Sequence, residues 1–299
     1  MKILLFGKNG QVGWELHRSL ASLGEVIAIA SNNPDLCGDL SNFSGISHTI
    51  KTIKPALIVN AAAYTAVDKA EGEKEKAQLI NTEAVGMLAD EAKKYDAWLV
   101  HYSTDYVFDG SRAVPWKETD EPNPLNVYGV TKLEGEKAIQ VSGCKHLIFR
   151  TSWVYASRGN NFIKTIIKLA KERDVLKVIN DQVGAPTGAE LIADVTARVI
   201  ETALRNPEVR GLYHLAAGGE TSWYGYADFI LNLARQNGVE IKVDPKAIIP
   251  IPSHNFPTAA IRPHNSRLDT SKLKQTFGLS LPDWHFGVVR ALHEILQTQ

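Results

Sequence analysis

Residues 7–13 read Gly7-Lys8-Asn9-Gly10-Gln11-Val12-Gly13 and follow directly after the apolar run Ile-Leu-Leu-Phe at residues 3–6. A strand that turns sharply into a helix leaves the first N–H groups of the helix unpaired, and these groups attract phosphate. Gly7 is suited to the tight turn, Gly10 to close approach of a pyrophosphate, and Gly13 to close packing of the helix on the strand. The stretch predicts a dinucleotide cradle, and an ordinary strand-turn-helix connection is the alternative.

Short runs rich in β-branched and other apolar residues recur along the chain, and segments with helical spacing separate most of them. This alternation predicts an α/β protein with a doubly wound parallel sheet, helices on both faces, and ligands beyond the carboxyl ends of the strands. The predicted strands are residues 2–6, 26–30, 56–60, 98–103, 146–151 and 175–179, and the clearest predicted helices are residues 12–23, 74–95 and 128–141.

The alternation of predicted strands and helices becomes less regular after about residue 155, where prolines separate shorter predicted elements. We therefore expect a dinucleotide-binding domain over residues 1–155, to which later segments can return. Residues 156–299 are expected to form mainly a smaller, interleaved α/β domain that binds the substrate.

The composition excludes several classes of partner. Lysine plus arginine equals aspartate plus glutamate, 33 of each, so no net charge favours nucleic acid or an acidic membrane. Only two cysteines occur in 299 residues, and no apolar run approaches the roughly 18 residues of a membrane span. We expect a cytoplasmic protein that binds small molecules.

The segment Tyr128-Gly-Val-Thr-Lys132 places a phenol and an amine four residues apart, on the same side of a helix. A free phenol has a pKa of about 10 and exchanges protons poorly at neutral pH, but a nearby ammonium lowers that pKa. The spacing indicates a proton-donating Tyr128 assisted by Lys132, whose ammonium can also bind ribose hydroxyls. An exposed helix pair is the alternative.

The predicted strand at residues 98–103 ends in the hydroxyls of Ser103 and Thr104. A hydroxyl at the carboxyl end of a strand faces the expected ligand crevice, so Thr104 is predicted to hydrogen-bond a substrate carbonyl. The alternative is that both residues only form a turn. His101, within the strand, is expected to be a packed core residue rather than a participant.

The second predicted strand ends in Ala30-Ser31-Asn32-Asn33. It carries neither the acidic residue that favours NAD nor the basic residue that favours NADP, so these small polar side chains would accept either cofactor. Asp39 and Leu40 follow, where a carboxylate can accept a hydrogen bond from the adenine amine. A helix cap is the alternative for Asp39.

Taken together, these stretches resemble the extended short-chain dehydrogenase/reductases and, within them, the dTDP-4-dehydrorhamnose reductase family. The resemblance runs in family order from one end of the chain to the other. It rests on residues 7–13, Asn60-Ala-Ala-Ala-Tyr-Thr65, Ser103-Thr-Asp-Tyr-Val-Phe-Asp-Gly110, residues 128–132, Arg150-Thr-Ser-Trp-Val-Tyr155, Asp181-Gln-Val-Gly-Ala-Pro-Thr187 and Arg262-Pro-His-Asn-Ser-Arg-Leu-Asp269.

The resemblance implies a Rossmann fold, NADPH or NADH as cofactor, and reduction of the C4 keto group of dTDP-4-dehydro-6-deoxy-L-mannose to dTDP-L-rhamnose, a step that serves lipopolysaccharide biosynthesis. It implies Tyr128 as proton donor, Lys132 as its electrostatic partner and ribose anchor, and Thr104 as the carbonyl hydrogen-bonder. The further implied contacts are Gly10, Gln11 and Val12 with the pyrophosphate, Ala30 with the adenosine, Asp39 and Leu40 with the adenine, Ala62, Ala63, Tyr64, Thr65 and Tyr102 with the nicotinamide half, and Asp105 and Trp153 with the substrate. Trp153 is expected to offer its flat face to the sugar, with a core aromatic as the alternative.

One departure from related enzymes separates reaction types. Sugar-nucleotide 4,6-dehydratases carry an aspartate and a glutamate directly after the threonine, whereas Asp105 is followed here by Tyr106. Elimination of water then lacks its base, which favours simple carbonyl reduction. Another NDP-sugar reductase or epimerase, or a non-catalytic NADP-binding subunit such as the one that regulates methionine adenosyltransferase, remains open.

Metal-ligand spacings such as H-x-x-x-H or C-x-x-C are absent from the sequence, so we assign no catalytic metal. The resemblance nevertheless implies a homodimer that depends on magnesium. Carboxylates that bridge an interface would be its natural ligands, and their identity is left open.

Overall fold

The computed structural model describes residues 1–297. Its strands, in chain order, are β1 (Lys2–Phe6), β2 (Glu25–Ile29), β3 (Leu57–Asn60), β4 (Trp98–Thr104), β5 (Lys145–Thr151), β6 (Val154–Tyr155), β7 (Leu176–Ile179), β8 (Val183–Gly184), β9 (Thr187–Gly188), β10 (Gly211–His214), β11 (Thr221–Ser222) and β12 (Ile248–Ile251). Its α-helices are α1 (Gln11–Ser19), α2 (Phe43–Ile53), α3 (Val67–Ala70), α4 (Lys74–Gln78), α5 (Ala84–Lys94), α6 (Val127–Ser142), α7 (Phe162–Glu172), α8 (Ala189–Arg205), α9 (Trp223–Gln236), α10 (Ser271–Phe277) and α11 (Trp284–Gln297).

A six-stranded parallel sheet in the order β2-β1-β3-β4-β5-β10 forms the centre of the molecule. The chain leaves β1 to one side for β2 and then crosses to the other side for β3, so the strand order reverses between β1 and β3. Ligands of such folds bind beyond the carboxyl ends of the strands at this switch point. The pairing of Phe6 with Asn60 brings the ends of these two strands level.

Helices cover both faces of the sheet, which explains why β1, β3 and β4 are apolar along most of their length. Leu16 of α1 and Ile192 of α8 pack on one face, whereas Ile46 of α2, Leu88 of α5 and Ile139 of α6 pack on the other. The fold is therefore a Rossmann-type α/β fold, which confirms the predicted parallel, doubly wound sheet.

A separate apolar core joins α7, α9 and α11 to the small parallel pair of β7 and β12. The strand predicted at residues 175–179 lies here as β7 rather than in the main sheet. The sixth strand of the main sheet is instead β10, which we did not predict. Its residues, Gly-Leu-Tyr-His, include no β-branched residue, so the run lacks the composition on which the other strands were predicted.

The proposed division of the chain at residue 155 stays a prediction, and its last two positions lie outside the described residues. Within the described residues, β10 joins the main sheet, and α8 and α10 contribute Val199, Leu273 and Phe277 to one of its cores. Within residues 1–297, no helix combines the length and the apolar character needed to cross a membrane.

Candidate active site

The glycine loop passes from β1 to α1 with almost no space between neighbouring backbones. Gly7 has a φ of +83°, and a Cβ on it would lie 2.7 Å from Ala62 N. A Cβ on Gly13 would lie 2.1 Å from Gly7 O, which is far inside contact distance. Gly10 is the N-cap of α1 and supplies no side-chain cap. The first N–H groups of α1 therefore stay available for a ligand.

A crevice of about 900 Å³ runs along the carboxyl edge of the sheet from the glycine loop to the start of α6. It is lined by every predicted site residue except Gly13, namely Gly7, Gly10, Gln11, Val12, Ala30, Asp39, Leu40, Ala62, Ala63, Tyr64, Thr65, Tyr102, Thr104, Asp105, Tyr128, Lys132 and Trp153. Gly13 packs against Gly7 beneath the loop, which agrees with the packing role predicted for it, and its place among the cofactor-binding residues stays a prediction.

Helix α6 begins beside the end of β4. Asn126 caps it, because its Oδ1 accepts a hydrogen bond of 2.8 Å from Gly129 N. A Cβ on Gly129 would lie 2.2 Å from Tyr106 O, so glycine allows the helix to come this close to the chain that leaves β4. This approach brings the side chain of Tyr128 into a hydrogen bond with that of Thr104.

Lys132 lies one turn further along α6 and is 1% exposed. Its Nζ donates a 2.6 Å hydrogen bond to Tyr102 O and lies 3.1 Å from His101 Nε2. Burial lowers the pKa of Lys132 to about 8, although the nearby Glu136 carboxylate acts in the opposite direction. The side chain therefore changes its charge near pH 8, and the ammonium form predominates at neutral pH.

The phenol of Tyr128 is not acidified in the way we expected. Burial raises its pKa to about 12, and the hydrogen bond to Thr104 offsets only part of this effect. Lys132 does not reverse the shift, because its Nζ is held against Tyr102 O and His101. Tyr128 thus stays a protonated phenol at neutral pH, as a proton donor requires.

Asp105 follows Thr104 and is almost fully buried at the same end of the crevice. Thr104 Oγ1 donates to Asp105 Oδ1 over 3.1 Å, and the Ser266 side chain is a second hydrogen-bond partner of the carboxyl group. Burial raises the pKa of Asp105 to about 7. Tyr106, which stands in place of a second carboxylate, packs edge-on against the Tyr128 ring at 5.9 Å.

Trp153 lines the crevice but does not offer a free flat face, which corrects our expectation. The Trp223 ring stacks on it with centroids 3.7 Å apart and planes 13° apart. A Cβ on Gly184 would lie 2.8 Å from Trp153 Cε2 and 3.1 Å from both neighbouring ring atoms, which places Gly184 over the opposite face. Only an edge of the indole can contact a ligand. Trp153 also has a φ of +47°, a strained value that is typical of functional sites.

Asp39 lines the crevice, but its side chain also holds a turn. Asp39 Oδ1 accepts hydrogen bonds from Ser41 N at 3.0 Å and from Ser41 Oγ at 2.8 Å. The cap of α2 is Asn42, not Asp39. A contact between Asp39 and adenine stays a prediction.

The sequence analysis missed two features of this site. The first is Trp223, which lies 70 positions after Trp153 and is brought to it only by the fold. The second is Glu136, which follows Lys132 by four residues, just as Lys132 follows Tyr128. This spacing in the sequence could have indicated that Glu136 lies on the same side of the helix. Glu136 pairs with Arg150 at 2.6 and 2.9 Å and accepts a short hydrogen bond from Ser103.

The fold and the site together define a class, the dinucleotide-dependent oxidoreductases of the extended short-chain dehydrogenase/reductase type. A family model described as the RmlD substrate binding domain matches residues 1–297. The chain belongs to the dTDP-4-dehydrorhamnose reductase family.

Individual relatives agree with this assignment. The chain is 57% identical over 298 residues to a dTDP-4-dehydrorhamnose reductase of Escherichia coli K12, covering 100% of this chain and 99% of the relative. It is 46% identical over 300 residues to one of Burkholderia thailandensis, covering 99% of each. The crystal structure of the Bacillus anthracis dTDP-4-dehydrorhamnose reductase in complex with NADP matches with a TM-score of 0.86 at 33% identity, covering 98% of this chain and 99% of that one.

Proposed function

We propose that this chain reduces the C4 keto group of dTDP-4-dehydro-6-deoxy-L-mannose to dTDP-L-rhamnose with NADPH or NADH. The observation that carries the proposal is the convergence of Tyr128, Thr104 and Lys132 at the carboxyl end of β4, on one wall of the crevice. The names of the relatives supply the substrate and the NADP-bound structure supports the cofactor.

The crevice has the features that a dinucleotide needs. At Gly7 and Gly13 the loop and α1 come so close to neighbouring backbone that a Cβ would collide. The N-terminus of α1 has no side-chain cap, so its first N–H groups could bind a pyrophosphate. Residues Gly10, Gln11 and Val12 would hold the pyrophosphate, Ala30, Asp39 and Leu40 the adenosine, and Ala62, Ala63, Tyr64, Thr65 and Tyr102 the nicotinamide half. When bound, the reduced nicotinamide supplies the hydride.

The residues of the chain perform the acid chemistry. Thr104 would hydrogen-bond the keto oxygen and orient it, and Tyr128 would give that oxygen its proton as negative charge develops there. Lys132, in its ammonium form, would stabilise the phenolate that Tyr128 becomes and would bind ribose hydroxyls. Asp105 Oδ2 and the exposed edge of Trp153 would contact the sugar.

Among the described residues, Asp39 and Asp105 are the only carboxylates that line the crevice. Asp39 lies at the opposite end, near Leu40 and Ala30. Elimination of water needs both an acid and a base beside the sugar. A single carboxylate at the catalytic end therefore favours reduction over dehydration.

Purified protein mixed with NADPH and dTDP-4-dehydro-6-deoxy-L-mannose should consume the reduced cofactor, as followed by loss of its absorbance, and NMR should identify dTDP-L-rhamnose as the product. Binding of both ligands without any oxidation of NADPH would refute the proposal. A 4-epimer of L-rhamnose as product would assign the chain to a different NDP-sugar reductase.

Ser31 lines the adenosine end of the crevice, at the end of β2. We expect Ser31→Asp to weaken NADPH relative to NADH by roughly tenfold, because the new carboxylate would repel the 2′-phosphate. The ratio of kcat/KM values for the two cofactors measures the effect, and Ser31→Asn is the uncharged control. An unchanged ratio in Ser31→Asp would mean that the 2′-phosphate lies elsewhere.

Trp223 supports one face of Trp153, so we expect Trp223→Ala to raise the KM for the sugar nucleotide. An aromatic pair contributes about 0.5–1.5 kcal/mol, which corresponds to a rise of roughly twofold to thirteenfold. The affinity for NADPH should not change. Trp223→Phe keeps an aromatic ring and should retain most of the wild-type KM, whereas equal effects of the two variants would contradict a stacking role.

We propose from the same resemblance that two copies form a homodimer with Mg²⁺ in the cytoplasm. Within residues 1–297, no group of three or more histidine, cysteine, aspartate and glutamate side chains is placed to hold a metal ion. Carboxylates that the two copies share would be the natural ligands, and none of the steps above depends on the metal. Light scattering with Mg²⁺ and then with EDTA measures this, and a monomer under both conditions would contradict it.

A further inference from the structure

A hydrogen-bond chain reaches Lys132 from below the crevice through two side chains that the proposed reaction does not use. Ala62 N donates to Asn60 Oδ1 over 3.1 Å, Asn60 Nδ2 lies 3.2 Å from His101 Nδ1, and His101 Nε2 lies 3.1 Å from Lys132 Nζ. Asn60, His101 and Lys132 are each 1% exposed. Their polar atoms therefore have to be satisfied by one another.

The backbone amide of Ala62 fixes the donor-to-acceptor direction of every hydrogen bond in this series. A backbone N–H can only donate, so the Asn60 atom that faces it is Oδ1, and the atom that faces His101 is the NH₂ group. His101 Nδ1 must then accept a hydrogen bond, which leaves the ring proton on Nε2. That N–H points at Lys132 Nζ, and an ammonium has no lone pair with which to accept it.

We propose that His101 is a positioning residue whose Nε2–H faces Lys132 Nζ and favours the amine form of Lys132 over the ammonium in the ligand-free protein. The second contact of Nζ is consistent with an amine, because Nζ donates to Tyr102 O while its lone pair faces His101. Burial and the charge of Lys132 together hold the pKa of His101 well below its usual range, so the ring does not become a cation. Our prediction that His101 is only a packed core residue thus leaves out its contact with Lys132.

The other ionisable groups around Lys132 do not remove this effect. On α6, Tyr128 is an uncharged phenol at neutral pH, and Glu136 is paired with Arg150 of β5. Directly after β4, Asp105 stands beside Tyr128 rather than beside Lys132 Nζ. Glu136 raises the pKa of Lys132, but burial lowers it more.

The consequence for catalysis rests on the proposed function. Lys132 exchanges its proton with solvent, and the balance between its amine and ammonium forms shifts toward the ammonium once Tyr128 is a phenolate. His101 would set that balance without touching the sugar. The proton position on His101, in contrast, can be measured without any turnover, so failure of one proposal is distinguishable from failure of the other.

NMR of the ¹⁵N-labelled, ligand-free protein tests the assignment directly. Long-range ¹H–¹⁵N spectra distinguish protonated from unprotonated ring nitrogens, and the His101 signals are those that disappear in His101→Gln. We expect an unprotonated Nδ1 and a protonated Nε2. A ring protonated on Nδ1, or on both nitrogens, at neutral pH would overturn the proposal.

The Asn60→Asp variant reverses the donor and acceptor roles in the hydrogen bonds from residue 60 to Lys132 and provides a second test. Both carboxylate oxygens accept hydrogen bonds, so the ring proton should move to Nδ1, and Nε2 should then accept from the Lys132 ammonium. The same spectra are expected to show this exchange of the two ring signals. A ring proton that stays on Nε2 in Asn60→Asp would show that Asn60 does not direct the tautomer.

The effect on Lys132 can be read from the ¹³C shift of its ε-carbon as a function of pH. A glutamine side chain can rotate its amide oxygen toward Nζ, so His101→Gln should raise the pKa of Lys132 by about one unit. His146→Gln is the matched control, since His146 lies at the opposite end of the sheet and binds Cys144 O. An unchanged Lys132 pKa in His101→Gln, or an equal rise in His146→Gln, would overturn the proposal.

Discussion

Tyr128→Phe is expected to lower kcat for the keto sugar by roughly a hundredfold to ten-thousandfold, which is the usual contribution of a general acid. The substitution removes only the hydroxyl that hydrogen-bonds Thr104 and leaves the aromatic ring against Tyr106. Steady-state kinetics measure kcat, and quenching of protein fluorescence measures NADPH affinity, which should stay close to the wild-type value because the glycine loop is untouched.

Tyr95→Phe is the matched control, because it also deletes one phenolic hydroxyl but lies at the end of α5, away from the crevice. It should keep the wild-type kcat. Full turnover by Tyr128→Phe, with NADPH still bound, would end the assignment of Tyr128 as proton donor.

The pH dependence separates Tyr128 from Lys132. Tyr128 must be protonated to donate, and its pKa of about 12 means that it loses its proton only in strongly alkaline solution. Lys132 must be an ammonium to stabilise the phenolate, and its pKa of about 8 means that this form declines as the pH rises through 8. Activity is therefore expected to fall on the alkaline side near pH 8, and the group that titrates there is Lys132.

Local spacing was enough to predict the residues that meet across a single turn or helix. Tyr128 and Lys132 line the same crevice because residues four apart share one side of a helix. Gly7 and Gly13 could be recognised because a strand followed at once by a helix leaves little room between them. These predictions needed no knowledge of the distant chain.

Contacts between segments that are distant in the sequence could not be predicted from local spacing. Trp223 covers a face of Trp153 only because α9 of the later core is carried over the end of the main sheet. The tyrosine pKa was predicted in the wrong direction because sequence spacing says nothing of burial, which has the largest influence on the pKa of Tyr128. Glu136 has the right helical spacing, but a glutamate on a helix is usually solvated, and its partner Arg150 lies on another strand.

Breaking the buried pair of Glu136 and Arg150 is expected to have the largest effect on the free energy of unfolding. Glu136 and Arg150 are 1% and 4% exposed, and Glu136 accepts two hydrogen bonds from Arg150 Nε and one from Arg150 Nη2 as well as the one from Ser103. The pair fastens α6, which carries Tyr128 and Lys132, to β4 and β5. Its own net contribution is modest because both charges had to leave water, but removal of one partner leaves the other charge uncompensated.

Glu136→Gln is therefore expected to lower the free energy of unfolding by about 3–5 kcal/mol, as measured by urea denaturation followed by circular dichroism. Glu201→Gln is the matched control, because Glu201 also pairs with an arginine, Arg205 at 2.6 Å, but on the exposed face of α8. Exposed pairs contribute about 0.5 kcal/mol, so this variant should remain nearly as stable as the wild type. If the two variants lose similar small amounts, then Arg150 finds other partners when Glu136 is neutral, and the pair does not hold α6 in place.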